Sequence, residues 1–344
     1  MRQACLELLR CSRCQGYPLH LLVDVRTDRE VREGQLRCGG CEATFSITRG
    51  VVEMIHEPSD QVREEIGSID KWLPEVNRIT PLNDEWLVGL PNTFDKGADS
   101  DIAVNLPRLL RLIDPKPGQR ILEVGAGTTW LSNLLAREGC TVIATDITRR
   151  LYVGLDSADV LMRNSETTYD RITAEMDDVP CVDETFDTVV GNAIFHHSAN
   201  LVDTFKEMRR LLRRGGKVVF LEPVVGPFNR SGRAYMDRLH GDGLGDEAYP
   251  AWAYTRAARR AGFECRLWIA PSVDHRFLRL HEDSDYEANR SLKYRLARRA
   301  ASVLQMPVLG GLARSVLYPA ALYLFGLTSI ITAERRAGVE SLSS

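Results

Sequence analysis

The stretch Arg120–Leu131, RILEVGAGTTWL, constrains this chain more than any other. The apolar run Ile121–Val124 reads as a short buried strand, and Trp130–Ala136 restarts at helical period, so Gly125 and Gly127 occupy a strand-to-helix turn. Lacking Cβ atoms, they permit positive φ and let an anionic or polar ligand reach the N–H groups of the helix start. About twenty residues on, Thr141–Thr145 ends in Asp146, where a carboxylate can accept bonds from ribose hydroxyls. Close helix–strand packing alone also selects glycine. The second strand and its terminal acid are what turn the reading toward an adenosine-like ligand on an α/β fold.

Two more strand ends follow at the βα rhythm. One lies in Ile172–Pro180 and the other in Phe186–His197, and Leu211–Phe220 adds a helix–turn–strand. On these motifs, from about Leu106 to Ala270, the chain resembles the class I S-adenosylmethionine-dependent methyltransferases, of the type that acts in ubiquinone and menaquinone biosynthesis. The resemblance implies a Rossmann-like seven-stranded sheet with helices on both faces. It implies further that Glu123, Gly125 and Gly127 surround the methionine part of S-adenosylmethionine and that Asp146 holds the ribose. Glu175 and Met176 would flank adenine, and Asn192 would close the site near the methyl donor. Many family members have a third glycine where this chain has Thr129, which should crowd the turn slightly.

The cysteines divide unevenly. Cys11-Ser12-Arg13-Cys14 and Cys38-Gly39-Gly40-Cys41 are two CxxC knuckles with 23 residues between them, close to zinc-ribbon spacing. Four thiolates suit tetrahedral zinc, and a closed sulfur shell leaves no position for water, so the metal is expected to be structural. A disulfide or redox CxxC is the competing reading. Cys5, Cys140, Cys181 and Cys265 stand alone and read as small buried hydrophobes. Strand-like runs at Tyr17–Val23, Glu33–Arg37, Thr44–Ile47 and Val51–Met54 complete a small β-rich domain. It resembles the zinc-ribbon activator subunit that partners several RNA and translation-factor methyltransferases, here fused in cis. That likeness implies docking or stabilisation. Similar ribbons also front some ribosomal-RNA methyltransferases.

The expected organisation is a ribbon over 1–56, a connector at the cofactor mouth over 57–105, the methyltransferase core over 106–270, a lid insertion over 271–326, and a last strand and tail over 327–344. Trp72, Trp86 and Phe94 in the connector anchor it or stack on substrate. Within the insertion, Tyr286–Arg299 is basic and Ser315–Ala333 runs 19 residues without a charge. Pro319, Gly326 and the polar pair Thr328-Ser329 interrupt that run, favouring a buried lid and strand over a membrane span, with a surface-lying helix as the alternative.

His196 and His197, just past the fourth strand, are the candidate general bases, weighed against a structural role for one of them. Glu222, ending the fifth strand, orients a substrate hydroxyl or caps a loop. Methyl transfer asks mainly for alignment, since the sulfonium is already activated, so no triad is required.

With 344 residues, 44% hydrophobic and 26% charged, the chain has enough apolar material for a full core, and a net charge of −3 does not advertise nucleic acid. The first residues lack a signal-peptide core, giving a cytoplasmic expectation with peripheral membrane contact left open. The expected function is methyl transfer to a small-molecule or lipid-like metabolite, with protein docking through the ribbon. RNA methylation is the alternative, opposed by the absence of an Asn-Pro-Pro-Tyr-like motif where Asn192-Ala193-Ile194-Phe195 stands. A non-catalytic cofactor-binding scaffold is the third reading.

Overall fold

The computed structural model describes residues 1–80, 82–94, 100–279, 299, 302–304 and 306–335. Arg290, Lys293, Arg295 and Arg298 of the expected basic half of the lid, and the tail from 336, lie outside the described residues. After a short 3-10 turn come β1 (Leu19–Arg26), β2 (Val31–Cys38), β3 (Thr44–Thr48) and β4 (Val51–Glu53). Helices α1 (Asp60–Ile79), α2 (Asp84–Val88) and α3 (Asp101–Ile113) lead to β5 (Arg120–Val124), α4 (Trp130–Arg137) and β6 (Thr141–Asp146). Then follow α5 (Ala158–Ser165), β7 (Asp170–Thr173), β8 (Phe186–Asn192), α6 (Leu201–Leu211) and β9 (Leu212–Glu222). The chain continues through α7 (Arg230–Gly241), α8 (Ala251–Arg260), β10 (Phe263–Ile269), α9 (Pro271–Arg279), α10 (Pro307–Leu324) and β11 (Ser329–Arg335).

Seven strands in the order β7-β6-β5-β8-β9-β11-β10 form the expected core sheet, with β11 antiparallel between β9 and β10. Strand order reverses between β5 and β8, the switch point at which such sheets open a crevice beyond their carboxyl ends. Ile121, Leu122 and Val124 of β5 and Val189 and Val190 of β8 are fully buried, as the double helical cover of a parallel sheet requires. The Ser100 hydroxyl caps α3 by accepting the Ala103 N–H, and Asp114 ends it in the left-handed region.

The ribbon strands do not stand apart from this core. β4 pairs in parallel with β7, register Val51↔Arg171, Val52↔Ile172 and Glu53↔Thr173, so the described strands make one sheet of eleven. Polar side chains weld the seam. Arg171 has no exposed side-chain surface and pairs with Glu30 at 2.5 Å and with Asp159 of α5 at 2.7 Å. Arg32 pairs with the same two carboxylates, at 2.8 and 2.7 Å, and the Met1 amino group approaches Glu30 at 3.0 Å. Arg2 adds a pair to Asp170 at 2.6 Å. Burial would raise Glu30 and Asp159, but the surrounding cations outweigh it: Glu30 is held below its ordinary value and Asp159 falls to about 2.

Candidate active site

The glycine turn after β5 carries three consecutive demands on its backbone. Gly125 and Gly127 have φ of 59° and 49°, and a Cβ on Gly125 would lie 2.2 Å from a carbon of Ile194. Thr129, at the place of the third glycine, also takes a positive φ, 62°, a conformation costing a β-branched residue about 1–2 kcal/mol. Its buried hydroxyl is hydrogen-bonded to that of Tyr169 at 2.8 Å. Asp146 closes the turn from β6. Its two carboxylate oxygens accept the N–H groups of Gly127 at 2.7 Å and Thr148 at 2.9 Å, while burial lifts it to about 6.

Beyond these strand ends lies a cavity of about 370 Å³, within the roughly 300–1,000 Å³ usual for small-molecule sites. Of the residues anticipated from sequence, Gly125, Asp146, Glu175, Met176 and His197 line it. Glu123, Gly127, Asn192 and His196 do not. Glu123 points instead to the start of α4, accepting the N–H of Ser132 at 2.8 Å and its hydroxyl; burial pushes it to about 8. Gly127 serves the site through its N–H to Asp146. Asn192 is tied into the sheet opposite Leu221, and Ile194 is the residue from that segment that reaches the cavity.

Both histidines sit in one 3-10 turn, Phe195–His197, with ring centroids 4.4 Å apart. His196 is buried between carboxylates, Nδ1 at 3.0 Å from Glu222 and Nε2 at 3.3 Å from Asp246. Burial disfavours its charge, but hydrogen bonds to Asp246 and Glu222 prevail and raise it to about 9. Glu222 is fully buried and also accepts the N–H groups of Ile194 and Phe195, both at 2.8 Å. It caps the loop, one of the two roles the sequence left open. His197 lines the cavity, with Nδ1 2.8 Å from the Leu244 carbonyl and 3.1 Å from Glu65. An Nδ1–H donated to that carbonyl leaves Nε2 as the ring nitrogen able to accept a proton.

Trp72, one of the connector's expected anchoring or stacking residues, lines the cavity from α1. Sequence reading missed the rest of that wall: Gln61, Val62, Glu65 and Ile69 of α1, and Tyr235 and Leu239 of α7. The α1 set recurs every three or four residues, the helical spacing that would have marked a single face within the expected connector. Gln61 ties α1 to the site by donating to the His197 carbonyl at 2.7 Å. No described residue of 271–326, the expected lid, lines the cavity.

In the ribbon, the sulfurs of Cys11, Cys14, Cys38 and Cys41 lie within 4.8 Å of one another, with Cys11–Cys41 and Cys14–Cys38 at 3.6 Å. Tetrahedral ligands about 2.3 Å from zinc sit about 3.8 Å apart, so the set has the right shape. N–H donation from Cys41 and Gly40 draws Cys38 down to about 6, while burial pushes Cys11 to about 12.

Comparison with known proteins agrees with this geometry. Residues 122–220 match the family described as a methyltransferase domain. The chain is 27% identical over 183 residues to a glycine/sarcosine/dimethylglycine N-methyltransferase of Actinopolyspora halophila, covering 52% of this chain and 31% of that one. It is 31% identical over 137 residues to a demethylmenaquinone methyltransferase of Corynebacterium urealyticum, covering 38% and 54%. The chain thus spans about a third to a half of the length of these curated relatives. Among solved structures it resembles phosphoethanolamine N-methyltransferase 2 of Haemonchus contortus, determined with S-adenosyl-L-methionine, at TM-score 0.52 and 18% identity over 83% of this chain and 62% of that one. That likeness is one of fold.

Proposed function

We propose that the chain is an S-adenosylmethionine-dependent methyltransferase acting on a small, largely apolar acceptor without negative charge. The observation that carries this reading is the cavity at the strand switch point, where Gly125, Asp146, Glu175 and His197 meet the apolar side chains of Ile69, Trp72, Tyr235 and Leu239. S-adenosylmethionine, when bound, supplies a methyl group on a sulfonium that needs no further activation. Asp146 would accept the ribose hydroxyls, Glu175 and Met176 would border the adenine, and the backbone at Gly125 would pass beside the methionine part. His197 would take the acceptor's proton through Nε2, with Leu244 and Glu65 orienting its ring; His196 would hold that turn as a buried cation between Glu222 and Asp246.

Among the described residues, Glu65, Asp146, Glu175, Asp177 and Asp246 line the cavity and no lysine or arginine does. A phosphate or carboxylate on the acceptor would meet like charge there, which disfavours RNA and anionic metabolites. The named relatives act on both kinds of molecule, a glycine series and a quinone precursor, and the cavity favours the second type of chemistry. The four-cysteine cluster would hold a structural zinc that braces the ribbon. Transfer of labelled methyl from S-adenosylmethionine tests the reading, using a panel of neutral phenols and quinols against sarcosine and phosphoethanolamine. Labelling confined to sarcosine and phosphoethanolamine, the acceptors that bear a carboxylate or phosphate, would refute it.

A further inference from the structure

Helix α10 is built inside out. Its one charged residue, Arg314, and the hydroxyl of Tyr318 turn toward the protein, where both engage Asp274 of α9. Its apolar side chains face outward: Val308, Leu312 and Val316 are 81%, 64% and 64% exposed, and Leu309, Leu317 and Tyr323 join them. Water on that face would reward the opposite arrangement. No helix among the described residues is long and apolar enough to cross a membrane, so an apolar medium has to be met from one side.

The surroundings say which medium. The carbonyls of Leu324 and Phe325 accept the N–H groups of Phe228 and Gly226, fastening the end of α10 to the loop that enters α7, and the exposed rings of Phe228 and Phe325 lie 6.5 Å apart. α8, which also packs on α10, exposes Trp252. Arg230 and Arg233 in the first turns of α7 and Arg256, one turn beyond Trp252, are exposed and have no ion-pair partner among the described residues. An apolar face rimmed by aromatic rings and unpaired arginines matches acyl chains below and acidic headgroups around. A second copy packed on the same face about a two-fold axis would set that arginine rim against its own image.

We infer that α10, with Phe228, Trp252 and Phe325 beside it, is a docking surface for an anionic lipid bilayer, on which the helix lies in the interface plane. The mouth of the cavity is then close at hand, because Tyr235 and Leu239 of the adjoining α7 line it. Docking itself does not depend on the methyltransferase reading.

Co-sedimentation of the full chain with large vesicles, of phosphatidylcholine alone or with one part in three phosphatidylglycerol, tests it. Binding should require the anionic lipid and weaken as salt is raised. Arg230→Ser with Arg233→Ser should lower it about thirty-fold, two factors near five. Leu312→Glu with Val316→Glu should abolish it while leaving melting temperature and labelled S-adenosylmethionine binding unchanged, which separates this claim from a failure of folding or of the cofactor site. Equal or absent sedimentation with both vesicle types would overturn the inference. So would a stable dimer that the Leu312→Glu, Val316→Glu variant converts to monomer, since the face would then belong to a second copy.

Discussion

Glu30→Gln is the substitution that most sharply tests whether ribbon and core fold as one body. Arg171 sits on β7 with no side-chain exposure, and Glu30 and Asp159 are its carboxylate partners. Replacing Glu30 keeps the shape and removes one of the two charges, leaving Asp159 to offset both Arg171 and Arg32. Removing one partner of a buried pair costs about 3–5 kcal/mol. Since Arg32 is 25% and Asp159 15% exposed, solvent relieves part of that, and about 3 kcal/mol is the fitting figure. At roughly 2–4 °C per kcal/mol for a large domain, the melting temperature should fall about 6–12 °C in a single transition followed by circular dichroism. Glu30 is held below its ordinary value, so its contribution is complete above about pH 4.5 and disappears as pH falls through the lowered value. The difference between wild type and variant should accordingly close in acid. A loss under 1 kcal/mol would refute the reasoning, as would a ribbon that melts separately while the core transition stays in place.

Two further outcomes follow from the sites. Reduced protein should contain one zinc per chain, and Cys38→Ser should lower both the metal content and the melting temperature; elemental analysis with no zinc would dismiss the ribbon's metal. His196 and His197 should separate. Raised from 6.5 to about 9, His196 contributes about 3 kcal/mol of stability, complete below pH 6.5 and lost as pH rises through 9, so His196→Gln should be most destabilising in mild acid and nearly silent at pH 10. His197→Ala, which gives up the bond to the Leu244 carbonyl, should cost only about 1 kcal/mol of stability but slow single-turnover methylation of a hydroxyl acceptor about 10²–10⁴-fold. Equal effects of the two substitutions on rate would contradict the division.

Much of the frame was legible in the sequence because it rests on local signals. The apolar runs and turn glycines around β5, β6 and β8 mark the switch point. What stayed hidden depends on partners distant along the chain. Both faces of a central parallel strand are buried, so alternation could not reveal that Glu123 turns to Ser132 and away from the cavity. Adjacent histidines look alike until Glu222 and Asp246 close on one of them, 26 and 50 residues later. The joining of ribbon to core did leave a trace: Arg171, a charge inside the strand Asp170–Thr173, has to be met by carboxylates from elsewhere. The inverted polarity of α10 became visible only when Asp274 drew Arg314 and Tyr318 inward.

Calorimetric titration with S-adenosylmethionine, repeated on Asp146→Ala, tests the central claim without needing the acceptor. Asp146 lines the cavity and braces the glycine turn through Gly127. Hydrogen bonds to a charged group contribute about 1.5–3 kcal/mol, so binding in the micromolar range that weakens about ten-fold to a hundred-fold in the variant is the predicted result. No heat of binding in the wild type, or an affinity that Asp146→Ala leaves unchanged, would contradict the assignment of this cavity to the methyl donor.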